Sequence, residues 1–304
     1  METKMKPRKF GQIVIVLGIL AGATLFSLEA ATKALVLQEM SWKDVEEYLK
    51  TSDMVIIPLG STEQHGPHLP LGTDFYEAFG LSKLISERTG VLVAPVVLVG
   101  YSPYHSGFPG TLSLRPETLE QVLFEAVEWL LKYGFRRFLF FNYHGGNNAI
   151  QTKLIYRVNQ STEGIAIAIG HGGPILKEEE EEGMDWHAGV SETSKMLFLQ
   201  PQLVRMDRAQ KPVMHFSPQV EELRKLAAKD PSLENVWNAL LGVPVETRKG
   251  GASHEISSNG IWSLRDPKEA SAEKGQKSVE NMVKQAVNFI NAWKKATVKG
   301  ASPN

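Results

Sequence analysis

Cysteine is absent from the 304 residues of this chain, and its absence excludes several kinds of chemistry. Without thiols the protein can form no disulfide bond, use no cysteine nucleophile and bind no metal through a thiolate. The cellular location stays open, because many exported bacterial proteins also lack cysteine.

Positive charge is not in excess either, since 33 Lys and Arg residues are scattered among 34 Asp and Glu residues and the net charge is −1. The sequence therefore shows no basic region of the kind that binds nucleic acid. Internal repeats and a second domain are not evident in the sequence. Length and composition are those of one soluble globular domain of about 270 residues behind a short leader, large enough for a single core.

The leader has the composition of an export signal. Basic residues precede an apolar run from Phe10 to Leu28, and small residues follow between Ala30 and Ala34. Residues 1–31 are predicted to be a signal peptide or an N-terminal membrane anchor, because the run is long enough to remain and the cleavage site is poor. A buried first helix is the third alternative. The protein is expected to be exported, periplasmic or secreted, or tethered to the membrane.

Four residues that can bind metal follow one apolar segment, in the stretch MVIIPLGSTEQHGPHLPLGTD at positions 54–74. The segment lacks alternation, as expected for a central strand of a parallel sheet, and ligands bind at the carboxyl ends of such strands. The four residues are Glu63, His65, His68 and Asp74. Their oxygen and nitrogen atoms suit Zn²⁺, Mn²⁺ or Fe²⁺ in a dinuclear hydrolase, with an Asp able to bridge two ions. The alternative is that Glu63 and His65 are loop polar groups and that Asp74 only caps a helix beginning at Phe75.

The segment GSTEQHGPHLPLGTD resembles the signature of the creatininase family of metal-dependent amidohydrolases. The resemblance implies that Glu63, His65 and Asp74 hold a pair of divalent metal ions. It extends over about residues 40–280, and it implies a homohexameric assembly.

A loop rich in aromatic and hydroxyl groups, GYSPYHSGFPGTLSLR, follows at positions 100–115. Such a loop suits the wall of a small-molecule pocket, or it packs on the domain or on another subunit. Family members carry a similar SGFPGT segment near the substrate, and the resemblance therefore implies that His105 and Ser106 bind substrate.

A second histidine cluster, Asn142 to Asn148, follows the apolar strand predicted at 135–141. The resemblance implies that His144 is a further metal ligand. Creatininases that act on creatinine carry a Tyr-Glu pair after this histidine, and that Glu binds metal, whereas this chain has Gly145 and Gly146. The ligand position is then open, filled by water or supplied from elsewhere, and creatinine itself is doubtful as the substrate.

The segment DWHAGVSETS at 185–194 resembles another stretch of the family. Glu192 is predicted to bind metal and to take part in catalysis, and Trp186 is predicted to contact substrate. His187 is expected to shuttle a proton to the leaving nitrogen or to steady an oxyanion. The alternatives for His187 are a metal ligand and a ring that packs against Trp186. Both His187 and Glu192 can face one cleft if a helix begins between them.

The predicted fold is a single α/β domain over residues 35–296, a mostly parallel sheet with helices on both faces. Strands are predicted at 54–59, 91–99, 135–141 and 165–169, and the main helices at 42–50, 75–89, 116–132, 147–160, 193–199 and 267–295. The predicted reaction is hydrolysis of a non-peptide amide C–N bond, in a cyclic amide or a formamide, with two divalent metal ions as cofactors. The alternative is a peptide-processing or non-catalytic metal-binding member of a maturation system.

Overall fold

The computed structural model describes residues 33–170 and 184–296. The predicted leader lies outside these ranges, as do a turn predicted at 171–174 and a solvated acidic run predicted at 177–182. Within the two described ranges, no helix is both long enough and apolar enough to span a bilayer.

A parallel four-stranded sheet forms the centre of the domain, in the order β2-β1-β3-β4. Its strands are β1 (Met54–Leu59), β2 (Leu92–Val93), β3 (Arg137–Asn142) and β4 (Ile165–Ala168). The prediction of a strand from 91 to 99 is wrong beyond Val93. Pro95 has no N–H to donate to a ladder, and its carbonyl accepts the side-chain amide of Gln38 at 2.6 Å instead.

Helices lie on both faces of this sheet, as the sequence predicts. They are α1 (Trp42–Leu49), α2 (Thr73–Thr89), α3 (Pro116–Tyr133), α4 (Asn148–Ser161), α5 (Val190–Leu199), α6 (Pro218–Ala227), α7 (Glu234–Asn238), α8 (Ser253–Ile256) and α9 (Ala272–Lys295). α6 and α7 are separated by a 3-10 turn at Pro231–Leu233, which Asp230 caps. The predicted start of the last helix at 267 is wrong, because Pro267–Glu269 forms a separate 3-10 turn.

Successive side chains of β1 point to opposite faces of the sheet, and the core therefore has two layers. Val55 and Ile57 pack with α3 and α4 on one face, whereas Met54 and Ile56 pack with α2 and α9 on the other. These four side chains are fully buried, and burying such a side chain contributes roughly 1.5–3 kcal/mol. The sheet is thereby a rigid base for the loops at its carboxyl edge.

A second sheet consists of two short antiparallel strands, β5 (Asp185–His187) and β6 (Trp262–Ser263). Neither strand is predicted, because two or three residues are too few to show alternation. Two residues separate β5 from α5, and β5 carries His187 to the carboxyl edge of the main sheet.

Candidate metal centre

The register of β1 and β3 brings their two following loops together. Leu59 pairs with Asn142, so both strands end at the same level. Asn147 then joins the loops, because its Nδ2 donates to the carbonyl of Gly60 at 3.0 Å and its Oδ1 accepts the N–H of Tyr101 at 3.1 Å. The loops after β1, β2 and β3 therefore form one framework around the candidate residues.

Asp74 lies between two histidines, and each of its oxygens faces a different one. Oδ1 is 2.9 Å from Nε2 of His65, and Oδ2 is 3.0 Å from Nδ1 of His144. Oε2 of Glu63 is 3.4 Å from the same His144 nitrogen. Neither Glu63 Oε2 nor Asp74 Oδ2 makes a regular hydrogen bond in the described residues, as expected for ligand atoms that converge on a common point.

Asp74 is not the cap of its helix, which was one alternative from the sequence. α2 begins at Thr73, one residue before Asp74, and the preceding Gly72 makes no side-chain cap. The carboxylate is almost fully buried and turned towards the two imidazoles. Asp74 therefore belongs to the cluster, and the start of α2 has no side-chain cap.

Three imidazoles share one arrangement, in which a ring N–H donates to a backbone carbonyl. His65 Nδ1 donates to Glu63 O at 3.1 Å, His144 Nε2 to Tyr101 O at 3.0 Å and His187 Nε2 to Gln64 O at 2.6 Å. A carbonyl can only accept, so each contact fixes which nitrogen carries that proton. The other nitrogen of each ring faces the buried carboxylates, as in histidines prepared to bind metal.

The turn between β5 and α5 directs His187 and Glu192 into the same space. Ala188, between them, adopts the left-handed φ of +53°, and its N–H donates to Glu192 Oε2 at 2.5 Å. Asp185 fixes the start of α5 by accepting two backbone N–H groups at 3.0 and 2.9 Å. Glu192 Oε2 thereby lies 3.8 Å from His65 Nε2.

The carboxylates control the charge of the two central histidines. Burial alone would lower the pKa of His65, but Asp74 and Glu192 outweigh it and raise this pKa to about 10. Burial likewise opposes the charge on His144, yet Glu63 and Asp74 raise its pKa to about 9. A metal ion that binds through either imidazole must therefore displace a proton.

The pKa values of the other site residues shift in different directions. Burial raises the pKa of Glu192 to about 7, although the charge on His65 acts against this. Burial and the neighbouring His65 and His105 lower the pKa of His187 well below its usual value. Glu63 has a pKa held well below its usual range, because His105 and His144 outweigh the cost of its burial.

The donor set fits divalent metal ions. Ligand atoms within 4.8 Å of one another form three overlapping groups, which are Glu63–His65–Asp74, His65–His187–Glu192 and Glu63–His105–His187. All are imidazole nitrogens or carboxylate oxygens, the ligands that Zn²⁺, Mn²⁺ and Fe²⁺ accept. The five predicted ligands lie together in this cluster, namely Glu63, His65, Asp74, His144 and Glu192.

The space beside Gly146 is filled by the protein itself. A Cβ on this residue would collide with the carbonyl of Tyr101 and would lie 2.7 Å from the hydroxyl of Tyr104. That hydroxyl is also 3.4 Å from His144 Nε2. A carboxylate side chain at this position therefore has no room, and Glu192 is the carboxylate that lies near His65 in addition to Asp74.

Replacement of Gly146 by glutamate is expected to destabilise the fold by about 1–3 kcal/mol, because the side chain overpacks a closed site. Thermal unfolding monitored by circular dichroism would measure the loss. Gly145→Glu is the matched control, since no described atom lies within 4 Å of a Cβ there. Equal melting temperatures for the two variants would contradict the steric argument.

The predicted substrate residues differ in their placement. His105 is buried, with its Nε2 3.2 Å from Glu63 Oε1. Ser106 is exposed on the same turn, and within the described residues no hydrogen bond joins its side chain to the cluster. Trp186 is 49% exposed and its ring lies 5.8 Å from that of Trp237, on the side of β5 opposite to His187.

His68, the remaining histidine of the first loop, contacts α5 and not the cluster. Its Nε2 is 2.9 Å from the hydroxyl of Thr193 on α5, and its ring is buried. Burial lowers the pKa of His68 to about 4, assisted by the charge on His65. The residue therefore joins the metal-site loop to α5 as a neutral side chain.

A buried ion pair joins the two helices that carry Asp74 and Glu192. Lys195 Nζ on α5 is 3.8 Å from Glu77 Oε2 on α2, and both side chains are at most 2% exposed. Each partner lies three residues after a site carboxylate, on the same side of its helix. The pair thus fixes α2 against α5 directly behind the cluster.

Replacement of Lys195 by methionine is expected to lower the free energy of unfolding by about 3–5 kcal/mol, because a buried carboxylate loses its cation. Urea unfolding would measure the change. Lys153→Met is the matched control, since Lys153 pairs with Glu120 at 2.6 Å but is 69% exposed, and Glu120 keeps Arg157 at 3.4 Å. The loss of such an exposed cation is expected to cost roughly 0–1 kcal/mol. A loss in Lys195→Met no larger than in the control would show that the buried pair is dispensable.

The sequence model of the creatininase family, described as creatinine amidohydrolase, matches residues 38–290. The chain belongs to the creatininase family. This match confirms the resemblance, and it covers the loops that carry Glu63, His144 and Glu192. The α/β fold with a mostly parallel sheet is therefore that of a creatininase-family hydrolase.

Relatives in the creatininase family have different activities. A mycofactocin precursor peptide peptidase of Mycobacterium tuberculosis is 31% identical over 264 residues, which are 80% of this chain and 86% of the relative. A creatinine amidohydrolase of Pseudomonas putida is 31% identical over 198 residues, 58% of this chain and 76% of the relative. A solved manganese form of creatininase has a TM-score of 0.67 and 26% identity, and covers 87% of this chain and 100% of its own.

Proposed function

We propose that the protein is a metal-dependent amidohydrolase that cleaves a non-peptide amide C–N bond, in a cyclic amide or a formamide. One observation supports the proposal. Three buried imidazoles each donate one N–H to a backbone carbonyl, and the other nitrogen of each ring faces buried carboxylates. Such an array is prepared to hold cations. The manganese form of a solved creatininase supports the same choice of cofactor.

Two divalent ions, of Zn, Mn or Fe, would be held by Glu63, His65, Asp74, His144 and Glu192, with Asp74 common to both. When bound, such ions supply a water of lowered pKa and a polarised carbonyl, which suits hydrolysis at neutral pH. The protein's own contribution is to fix these side chains on rigid strand ends and helix starts.

His187 is placed to move a proton. Its Nε2–H is held by the carbonyl of Gln64, so its Nδ1 is the nitrogen that faces the cluster, 3.7 Å from Glu63 Oε1. Nδ1 can accept a proton from the attacking water and return it to the leaving nitrogen. His105 presents its Nε2 to the same carboxylate, on the wall where the amide would bind.

A peptide amide is the second candidate substrate. The observation that favours it is the 31% identity to a peptide peptidase over 80% of this chain. Turnover of lactams, formamides, creatinine and short peptides by the metal-loaded protein would separate the two candidates. Cleavage of lactams or formamides supports the proposal, cleavage of peptides alone supports the second candidate, and binding of metal without any turnover would indicate a non-catalytic member.

We also propose that residues 1–31 direct export, on the basis of the basic and apolar composition of this segment. Expressed protein is expected outside the cytoplasm, free or held by the membrane, and deletion of the leader should retain it in the cytoplasm. Fractionation measures the location, and N-terminal sequencing distinguishes cleavage from anchoring. Unchanged location after deletion would refute the proposal. The homohexamer also remains a prediction, which sedimentation velocity would test.

A further inference from the structure

His105 differs from the other three histidines at the site in what its second nitrogen contacts. His65, His144 and His187 each donate to a backbone carbonyl. The atom that faces His105 Nδ1 is instead the side-chain amide nitrogen of Gln64, at 2.9 Å. Gln64 is 4% exposed, and it lies between two candidate ligands in the sequence.

Two backbone contacts fix the orientation of the Gln64 amide independently. The N–H of Gly66 donates to one end of the amide at 3.0 Å, so that end must be Oε1. The carbonyl of Gly260 lies 3.0 Å from the other end, which must therefore be the NH₂ group. In a flipped amide, Oε1 would face the carbonyl oxygen of Gly260 and the NH₂ group would face the N–H of Gly66, and both hydrogen bonds would be lost.

The oriented amide decides where the proton of His105 lies. The NH₂ group shares its two hydrogens among the Gly260 carbonyl, Ser253 Oγ at 3.1 Å and Nδ1 of His105. It cannot accept a hydrogen bond, so Nδ1 of His105 cannot donate to it and the proton of the neutral ring lies on Nε2. Nε2 is 3.2 Å from Glu63 Oε1, and His105 donates to that carboxylate. The amide nitrogen is also 3.0 Å from His187 Nε2, but that ring already donates to the carbonyl of Gln64.

We propose that Gln64 is a positioning residue that holds His105 as a hydrogen-bond donor to Glu63 and prevents His105 from binding metal. The site histidines then differ in function, because His65 and His144 present a nitrogen to the cations, whereas His105 presents an N–H to a ligand carboxylate. Such donors orient a carboxylate ligand and tune the metal that it binds. Only the affinity measured below depends on the proposed metal site, since the proton position is a property of the chain itself.

Solid-state ¹⁵N NMR of sedimented, ¹⁵N-histidine-labelled full chain would locate the proton whatever the oligomer size. The His105 resonances are assigned by their loss in His105→Gln. In the metal-free and the Zn²⁺-loaded protein we expect His105 to carry its proton on Nε2 and to accept a hydrogen bond at Nδ1. Gln64→Met removes the donor at similar volume and should shift the Nδ1 resonance or move the proton. Gln151→Met, at a second buried glutamine on α4, is the matched control.

Zn²⁺ titration is the second measurement, and Gln64→Met is expected to weaken binding about 10- to 100-fold relative to Gln151→Met. A proton on Nδ1 of His105 in the wild type, or a metal-bound His105 nitrogen, would overturn the proposal without requiring a variant. An unchanged Nδ1 resonance in folded Gln64→Met would do the same. If the spectra show the expected proton position but neither the wild type nor the variants bind Zn²⁺, the proposed function fails and the role of Gln64 stands.

Discussion

Replacement of Asp74 by alanine is expected to abolish the binding of both metal ions, and with it hydrolytic activity. The reason is geometric, because Oδ1 of Asp74 faces His65 at 2.9 Å and Oδ2 faces His144 at 3.0 Å. One carboxylate thus belongs to both halves of the site. Metal content per folded chain, determined by elemental analysis after gel filtration, measures the effect.

His65→Ala is the informative comparison for this prediction. Its imidazole offers one nitrogen to the cluster, since the other is bonded to the carbonyl of Glu63, and one nitrogen serves one metal. This variant should lose one ion, whereas Asp74→Ala should lose two. Circular dichroism must show that both variants are folded. Native-like metal content in Asp74→Ala would exclude a shared carboxylate.

The grouping of Glu63 and His144 could be predicted from the sequence, because both follow a pattern with a physical meaning. β1 and β3 are apolar runs, and the carboxyl ends of neighbouring parallel strands meet at one edge. The loops that follow them contain Glu63 and His144, and the structure brings these two residues together as that rule requires. The centre of the fold was predictable for the same reason.

Gln64 shows what the sequence does not reveal. Between Glu63 and His65 it has no recognisable function in the sequence, but its NH₂ group contacts residues that lie between 41 and 196 positions further along the chain. No local pattern predicts such contacts. Gly146 is similar, because the sequence shows that a carboxylate is missing but not that Tyr101 and Tyr104 occupy its space.

The short elements around His187 were also beyond prediction. β5 and β6 have three and two residues, and their pairing depends on residues 185 and 263 meeting across the fold. The left-handed conformation of Ala188 has no signature in the sequence, since alanine rarely adopts it. Both features nevertheless determine where His187 and Glu192 point.

His187→Ala is the second prediction with a large effect, and it separates three functions for this residue. If Nδ1 shuttles a proton, the variant should keep both metals and its KM but lose about 10²- to 10⁴-fold in kcat. That loss is the usual range for a general acid or base. The assay uses whichever substrate of the panel is turned over fastest, and elemental analysis is carried out on the same sample.

Two other results would assign His187 differently. Release of a metal together with activity and stability would identify a ligand, consistent with its place in the group His65–His187–Glu192. Retention of more than about half of kcat with both metals bound would indicate that the ring only packs, as general acid-base groups contribute far more. Trp186→Ala is the control for packing, because the Trp186 ring faces Trp237 and away from His187. His187 packs beside His65, His105 and Trp262 and not against Trp186. A packing function therefore predicts a small loss in His187→Ala, whereas a proton shuttle predicts a loss far larger than in Trp186→Ala.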